Sequence, residues 1–439
     1  MFDALALLKS LLEPVKSAVE AKQRLPPDEL RFVLEYKYVP DRNEQRIRIA
    51  ALLESDAFQL DPIAETDGLA NFLVLRFPQI EPTLPQRILY EIGYELADEL
   101  GLISAEPDIG AKVFADPEPA RPDRTTESAE IIGTLCFVTA QPPVDRQWAL
   151  KNTRIIEALE STRGAGIRIG QPDTGVAKHN ELEAGMLNLA LARDILDGDA
   201  DPTDPLQSGT ANPGHGTGTS SVAASRHTGL IAGAAPEAEL VPIRCIKDVK
   251  IFNGAPVAAA IAHATQVGCH VISMSLGGIP SRAVHAAARA AVARDIIVVA
   301  AAGNCVRTVV WPARYDAVIA VAGNNVADRP WKGSSRGSAV DITAPAENVW
   351  RALRQAPSDS EAGIGAGQGT SFATALVAGA AALWLSHHGR RAAINEARQR
   401  GVSLQRLFRS ALQASARTPA GWNDDDFGPG ILDAAALLA

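Results

Sequence analysis

"CHVISMSLGGIPSRAVHAAARAAVARDIIVVAAAGN", residues 269–304, decides the fold. Its two ends, "CHVISMSLGG" and "DIIVVAAAGN", are short apolar runs without polar alternation. The stretch between them, "SRAVHAAARAAVARD", is Ala-rich and reads as a helix. A strand that is apolar on both faces needs cover on both faces, and a helix linking two such strands makes them parallel. The pattern extends outward in both directions. "GIRIGQPDTG" (166–175), "AELVPIRCI" (238–246) and "AVIAVAG" (317–323) are further strands, and "APVAAAIAHATQVG" (255–268) is a further helix. From about residue 131 onward the chain therefore reads as an α/β domain, a doubly wound, mostly parallel sheet with helices on both faces.

In such sheets ligands bind beyond the carboxyl ends of the strands, and those ends hold a chemically coherent set. Asp173 follows a strand in "GQPDTG". His215 sits in "NPGHGTGTSS" before a helix of small residues, Asn304 closes "AAAGN", and Ser371 opens the helix of "GQGTSFATALVAGAAALWL" (367–385). A serine hydroxyl becomes a competent nucleophile when a histidine takes its proton, and that histidine needs a carboxylate to fix its tautomer. The oxyanion that follows needs donors, which the Ser371 N–H and the Asn304 side-chain amide can supply. Taken alone, Ser371 could be only a helix cap, Asp173 a strand terminator and His215 a cap. We expect one residue to do both jobs at Ser371, and Gly216 and Gly369 to let a peptide approach closely.

The ordered motifs "DTG", "HGTGTS" and "GTSFATALVAGAAAL" resemble those of the subtilisin-like serine proteases. "ISMSLGG", "AAAGN", "VVWPARYDAVIAVAG", "SSRGSAVDITAPAENVW" and "FGPGILDAAALL" extend the likeness over roughly 140–439. The resemblance implies a subtilisin-like fold and a serine endopeptidase with Asp173 as orienting carboxylate, His215 as general base and Ser371 as nucleophile. Asn304 and the Ser371 N–H would form the oxyanion hole. Ser275, Leu276, Gly277, Ala301, Ala302 and Gly303 would bind substrate, a protein or peptide held as an added strand. The competing readings are a catalytically silent subtilase fold acting as a binding scaffold, and a cysteine protease. The second fails because no cysteine has the Gly-flanked, helix-opening context of Ser371.

The 439 residues exceed one ordinary core. In the amino-terminal part, "LRFVLEYKYV" (30–39) and "ANFLVLRF" (70–77) read as strands, "LPQRILYEIGYELADELGL" (84–102) as an amphipathic helix and "ISAEPDI" (103–109) as a returning extended segment. We expect a smaller α+β domain over 1–113, prodomain-like or regulatory, and a Pro-rich charged linker over 114–130. The subtilisin-like peptidase domain would fill 131–439. The last helix and the "EPD" ending resemble a subtilase propeptide, which implies that the amino-terminal region inhibits the enzyme it is joined to.

A net charge of −9 without a dense Lys/Arg stripe argues against nucleic acid as a partner. No uninterrupted apolar run of about 18 residues marks a membrane span. The opening "MFDALALLKSLLEPVKSAVE" carries Phe2, Leu5, Leu8, Leu12, Val15 and Val19 at helical spacing and lacks the form of a secretory signal. It leads us to expect a docked amphipathic helix and a cytoplasmic protein. The four cysteines, Cys136, Cys245, Cys269 and Cys305, lack metal-ligand spacing and read as reduced core thiols.

No metal is assigned and the chemistry needs no cofactor. The acidic run "RDILDGDADPTDP" (193–205) raises structural calcium, which is not favoured because the run lacks an EF-hand loop's closing Glu. An insertion, "LQSGTA" (206–211), departs from the family pattern. So does the short segment after Asn304, where Arg307 suggests a preference for acidic or polar residues before the cut. His179 reads as structural, and His387 and His388 as exposed.

Overall fold

The computed structural model describes residues 3–20, 29–66, 68–78, 80, 84–108, 136, 138–182, 186–207, 212–227 and 229–439. The linker expected over 114–130 and most of the 206–211 insertion lie outside them. The chain divides into two compact units: Met1–Pro119 with Phe252–Ala262 and Ser281–Ala287, and Ala120–Ile251 with His263–Pro280 and Ala288–Ala439.

The first unit contains an antiparallel sheet of β1 (Leu30–Glu35), β2 (Gln59–Pro62), β3 (Phe72–Phe77) and β4 (Ser104–Pro107), in the order β2-β3-β1-β4. Phe32, Leu34, Leu73, Leu75 and Phe77 pack with Leu89, Ile92 and Leu96 of the helix Gln86–Leu100. The amino-terminal helix Ala4–Glu20 buries Ala4, Leu5, Leu8 and Leu12, and its first N–H groups donate to Glu95. Strand β2 and the helix Arg42–Leu53 add to the elements anticipated from sequence. Asp41 caps that helix by accepting from the N–H groups of Asn43 and Glu44. Two carboxylates near the end of this unit's first segment also meet helix starts. Asp108 Oδ1 accepts from Ala255 N–H at 3.0 Å, and Glu106 Oε2 from Arg282 N–H at 3.1 Å.

The second unit is built on a seven-stranded sheet of β5 (Arg168–Asp173), β6 (Arg193–Asp194), β7 (Glu239–Arg244), β9 (Val271–Met274), β11 (Ile297–Ala301), β12 (Ile319–Asn324) and β13 (Ile342–Pro345). Their order is β13-β12-β11-β9-β5-β7-β6, every pair is parallel, and all but the two-residue edge strand β6 are almost wholly buried. A small parallel pair, β8 (Lys250–Ile251) with β10 (Gly277–Gly278), lies after β7 and β9 in sequence. The chain passes from β5 to β7 on one side and then to β9 on the other. The carboxyl end of β5, where Asp173 sits, is thus the topological switch point, the place where an open α/β sheet forms a crevice.

Two helices are buried against this sheet, His215–Ala224 and Thr370–His388. They pack on each other through small residues: a Cβ on Gly379 would lie 2.4 Å from the Ala234 methyl and 3.2 Å from Ala223 O. Their Ala/Gly composition permits this approach. Among the described residues, Thr370–His388 is the one helix long and apolar enough to cross a bilayer, yet 89% of its apolar window is buried in the protein, as in a core helix.

The cysteine expectation needs correction. Cys136 and Cys305 form a disulfide, whereas Cys245 and Cys269 are free and buried. Burial pushes the Cys245 thiol well up and the Cys269 thiol to about 12, so both remain protonated core groups. A separation of 169 residues hid the pairing, because neither cysteine has a local partner in the sequence.

Candidate active site

Asp173 ends β5, and His215 opens a helix whose capping residue is Gly214. His215 Nδ1 donates to Asp173 Oδ1 over 2.7 Å, with both side chains buried. The carboxylate is held on its other sides too. Oδ1 accepts from Thr174 N–H at 2.7 Å and Oδ2 from the Thr219 hydroxyl at 3.1 Å. Thr219 Oγ1 itself accepts from Gln171 Nε2 at 2.7 Å, and Gln171 Oε1 accepts from Ser220 at 2.9 Å. A buried polar chain from Ser220 through Gln171 and Thr219 thus orients the carboxylate. Sequence reading did not single out Thr219 or Gln171; the "HGTGTS" motif and the i+4 spacing of Thr219 from His215 carried that signal.

Gly216 has a different job from the one expected. A Cβ there would sit 2.1 Å from Gly175 O and 3.2 Å from Asp173 Cβ, so the missing side chain lets the histidine helix close on the strand that carries its carboxylate. The space serves the protein's own backbone.

Ser371 is not a helix cap. Gly369 is the N-cap of Thr370–His388, with no side-chain cap bond, and Ser371 is the second residue of the first turn. Its N–H therefore has no acceptor one turn back and lies at the positive end of the helix dipole. Ser275 Oγ donates to Ser371 O at 2.9 Å, and Ser371 Oγ lies 3.4 Å from Ser275 O. Asn304 is tied to the same turn: its Oδ1 accepts from Thr370 N–H and from Thr370 Oγ1, each at 2.9 Å. A backbone N–H can only donate, so the oxygen of the amide faces Thr370 and the NH₂ end points the other way.

The expected substrate-binding residues fall at two neighbouring strand ends. Ser275, Leu276 and Gly277 follow β9, and Ala301 ends β11 with Ala302 and Gly303 directly after it. Arg307 is exposed. His179 is tied into a loop, with Nε2 donating to Gly363 O at 2.7 Å and Nδ1 accepting from Glu181 N–H at 3.1 Å. Burial lowers its pKa. His387 and His388 are exposed in the last turn of their helix.

In the acidic run 193–205, Asp194, Asp197 and Asp204 are engaged by the protein's own donors. Arg244 Nη1 takes Asp194 Oδ2 and also Asp197 Oδ2, the second at 2.5 Å. Asp194 Oδ1 accepts from the N–H groups of Leu196 and Asp197, and Asp204 accepts from Thr174 and Gly214. A guanidinium and backbone amides already use these oxygens.

The subtilase family model matches residues 164–428, more than half of the chain. The chain belongs to the subtilase family. Thermitase of Thermoactinomyces vulgaris is 33% identical over 249 residues, covering 56% of this chain and 84% of thermitase. Subtilisin DY of Bacillus licheniformis is 35% identical over 233 residues, covering 52% and 79%. Among solved structures, MycP1 with its N-terminal propeptide removed matches at 26% identity and TM-score 0.51, covering 68% of this chain and 97% of that one. Fervidolysin of Fervidobacterium pennivorans, described as a keratinolytic enzyme related to subtilisin, shares the fold at 21% identity and TM-score 0.64. It covers 94% of this chain and 61% of its own. This subtilase is a serine endopeptidase by family and fold, and subtilases need no cofactor for catalysis.

Proposed function

We propose that the reaction runs through Ser371, His215 and Asp173, with Asn304 and the Ser371 N–H as the oxyanion hole. The observation that carries this reading is the 2.7 Å His215–Asp173 bond at the switch-point strand end. Asp173 fixes Nδ1 as the protonated nitrogen, which leaves Nε2 as the base. Ser371 Oγ attacks the scissile carbonyl carbon as its proton passes to Nε2. The carbonyl oxygen becomes an oxyanion that accepts from the Ser371 N–H and from Asn304 Nδ2. The C–N bond then breaks, the amine leaves with the proton from Nε2, and water attacks the acyl-enzyme by the reverse sequence. Peptide backbone would be held as an added strand along Ser275–Gly277 and Ala301–Gly303.

Subtilases carry propeptide inhibitors, and we assign that role to the amino-terminal region of this chain. Two features support it: its antiparallel sheet with a packed helix, and Glu106 and Asp108 placed at helix N-termini, where anions are favoured. The compartment proposed here differs from the cytoplasm expected from sequence, since the Cys136–Cys305 disulfide favours oxidising surroundings. The test is mass over time for purified wild type and Ser371→Ala. Wild type should shorten to a stable product cut near the 114–130 linker while the variant stays intact. Equal full-length masses at all times would count against self-processing.

A further inference from the structure

The carboxyl ends of β9 and β11 lie side by side, and just beyond each the chain reaches a residue without a side chain, Gly277 after β9 and Gly303 after β11. The gap this leaves between them is not open. A Cβ built on Gly277 would lie 2.4 Å from Val310 Cγ2. One built on Gly303 would lie 2.9 Å from the same methyl and 3.1 Å from Cγ1. A single isopropyl group therefore spans both strand ends.

Val310 is fastened there from both sides. Its N–H donates to Ala302 O at 3.0 Å, and the next residue, Trp311, accepts from Gly278 N–H at 2.8 Å. Strain-free retreat is closed to it, because a β-branched side chain has few χ1 choices and the flanking backbone is bonded to both strand ends.

We propose that Val310 is the floor of a shallow specificity pocket, and that this enzyme cleaves after small residues, Gly, Ala or Ser. The inference rests on the serine endopeptidase reading above. The pocket residues Ser275, Leu276, Gly277, Ala301, Ala302, Gly303 and Val310 are all uncharged, so neither an acidic nor a basic side chain finds a partner among them. An aromatic or long aliphatic side chain would have to displace the valine methyls. The acidic preference expected from Arg307 is replaced by a steric one.

A peptide library varied at the residue before the scissile bond tests this, using full-length chain incubated until its mass is constant. Wild type should prefer Ala over Phe by at least about fifty-fold in kcat/KM, the scale on which pockets discriminate by size. V310G should lower that Ala-to-Phe ratio at least about tenfold, and V310A by less. If V310G fails to fold, V310A and the wild-type profile still decide. Wild type that cuts after Phe or Leu as fast as after Ala would overturn the inference, as would variants that leave the profile unchanged. The same preparations are treated with a fluorophosphonate: absence of labelling at Ser371 overturns the underlying protease reading instead.

Discussion

Replacing Thr370 by valine keeps its shape and removes one hydroxyl, and that hydroxyl does two things. It donates to Asn304 Oδ1 at 2.9 Å and accepts from Gly303 N–H at 3.2 Å. The backbone N–H of Thr370 still donates to Asn304 Oδ1, so the amide keeps one of its two restraints. Losing a bond of this kind costs about 1 kcal/mol in orientation, and leaving Gly303 N–H without its acceptor costs the fold about 1–3 kcal/mol. One kcal/mol of lost transition-state stabilisation is roughly a fivefold drop in kcat. Complete removal of the donor in Asn304→Leu should cost about 10²–10³ in kcat. We therefore expect Thr370→Val to lower kcat about five- to tenfold with little change in KM. Thr370→Ser should recover most of the loss. Steady-state kinetics on one peptide substrate, with thermal unfolding in parallel, measures both effects. The decisive comparison is the double variant: if the hydroxyl acts through Asn304, then Asn304→Leu/Thr370→Val should be no slower than Asn304→Leu alone. Fully additive losses, or a raised KM at unchanged kcat, would refute the reasoning.

Three further outcomes follow from the same geometry. Thr219→Val removes the hydroxyl that donates to Asp173 Oδ2 and strips Gln171 Nε2 of an acceptor; kcat/KM should fall about tenfold in peptide assays, and Thr219→Ser should restore it. His270 accepts from Arg168 N–H, and burial together with the Arg390 and Arg168 charges lowers its pKa to about 4. The unfolded chain takes up this proton below about 6.5, so the stability is present above that value and is lost as pH falls from about 6.5 towards 4. Discounted for partial exposure, the loss is about 1 kcal/mol by about pH 5, and denaturant titrations should show His270→Gln sparing it. The Cys136–Cys305 bond closes a separation of 169 residues, worth up to about 5 kcal/mol in the loop-entropy model; Cys136→Ser with Cys305→Ser should lower the melting temperature by several degrees in calorimetry.

Local pattern made much of this protein legible. Short apolar runs such as "IIVVAA", rich in β-branched residues, read as covered strands, and each of the five quoted for the peptidase domain lies in the parallel sheet. Strands β6 and β13 were missed for opposite reasons. The first is two residues in a charged loop, and the second, Ile342–Pro345, is short and ends in proline. The helix Arg42–Leu53 was missed because its apolar stripe is thin, although the Asp41–Glu44 spacing marked its start. Site residues stood out because their types and order encode one reaction. Contacts made across long separations were invisible: the disulfide, Arg244 in the acidic loop, and the closure of Gly216 on Gly175. So was the true cap of the nucleophile helix, Gly369, because a serine two residues later is the stronger capping signal by composition.

Fluorophosphonate labelling followed by peptide mass mapping tests the central claim most directly, because the reagent reacts with an activated serine and marks its position. The label should fall on Ser371, and should be lost in both Ser371→Ala and His215→Ala. A label that persists in Ser371→Ala, or a mature wild-type protein that takes none, would contradict the assignment of Ser371 as the nucleophile.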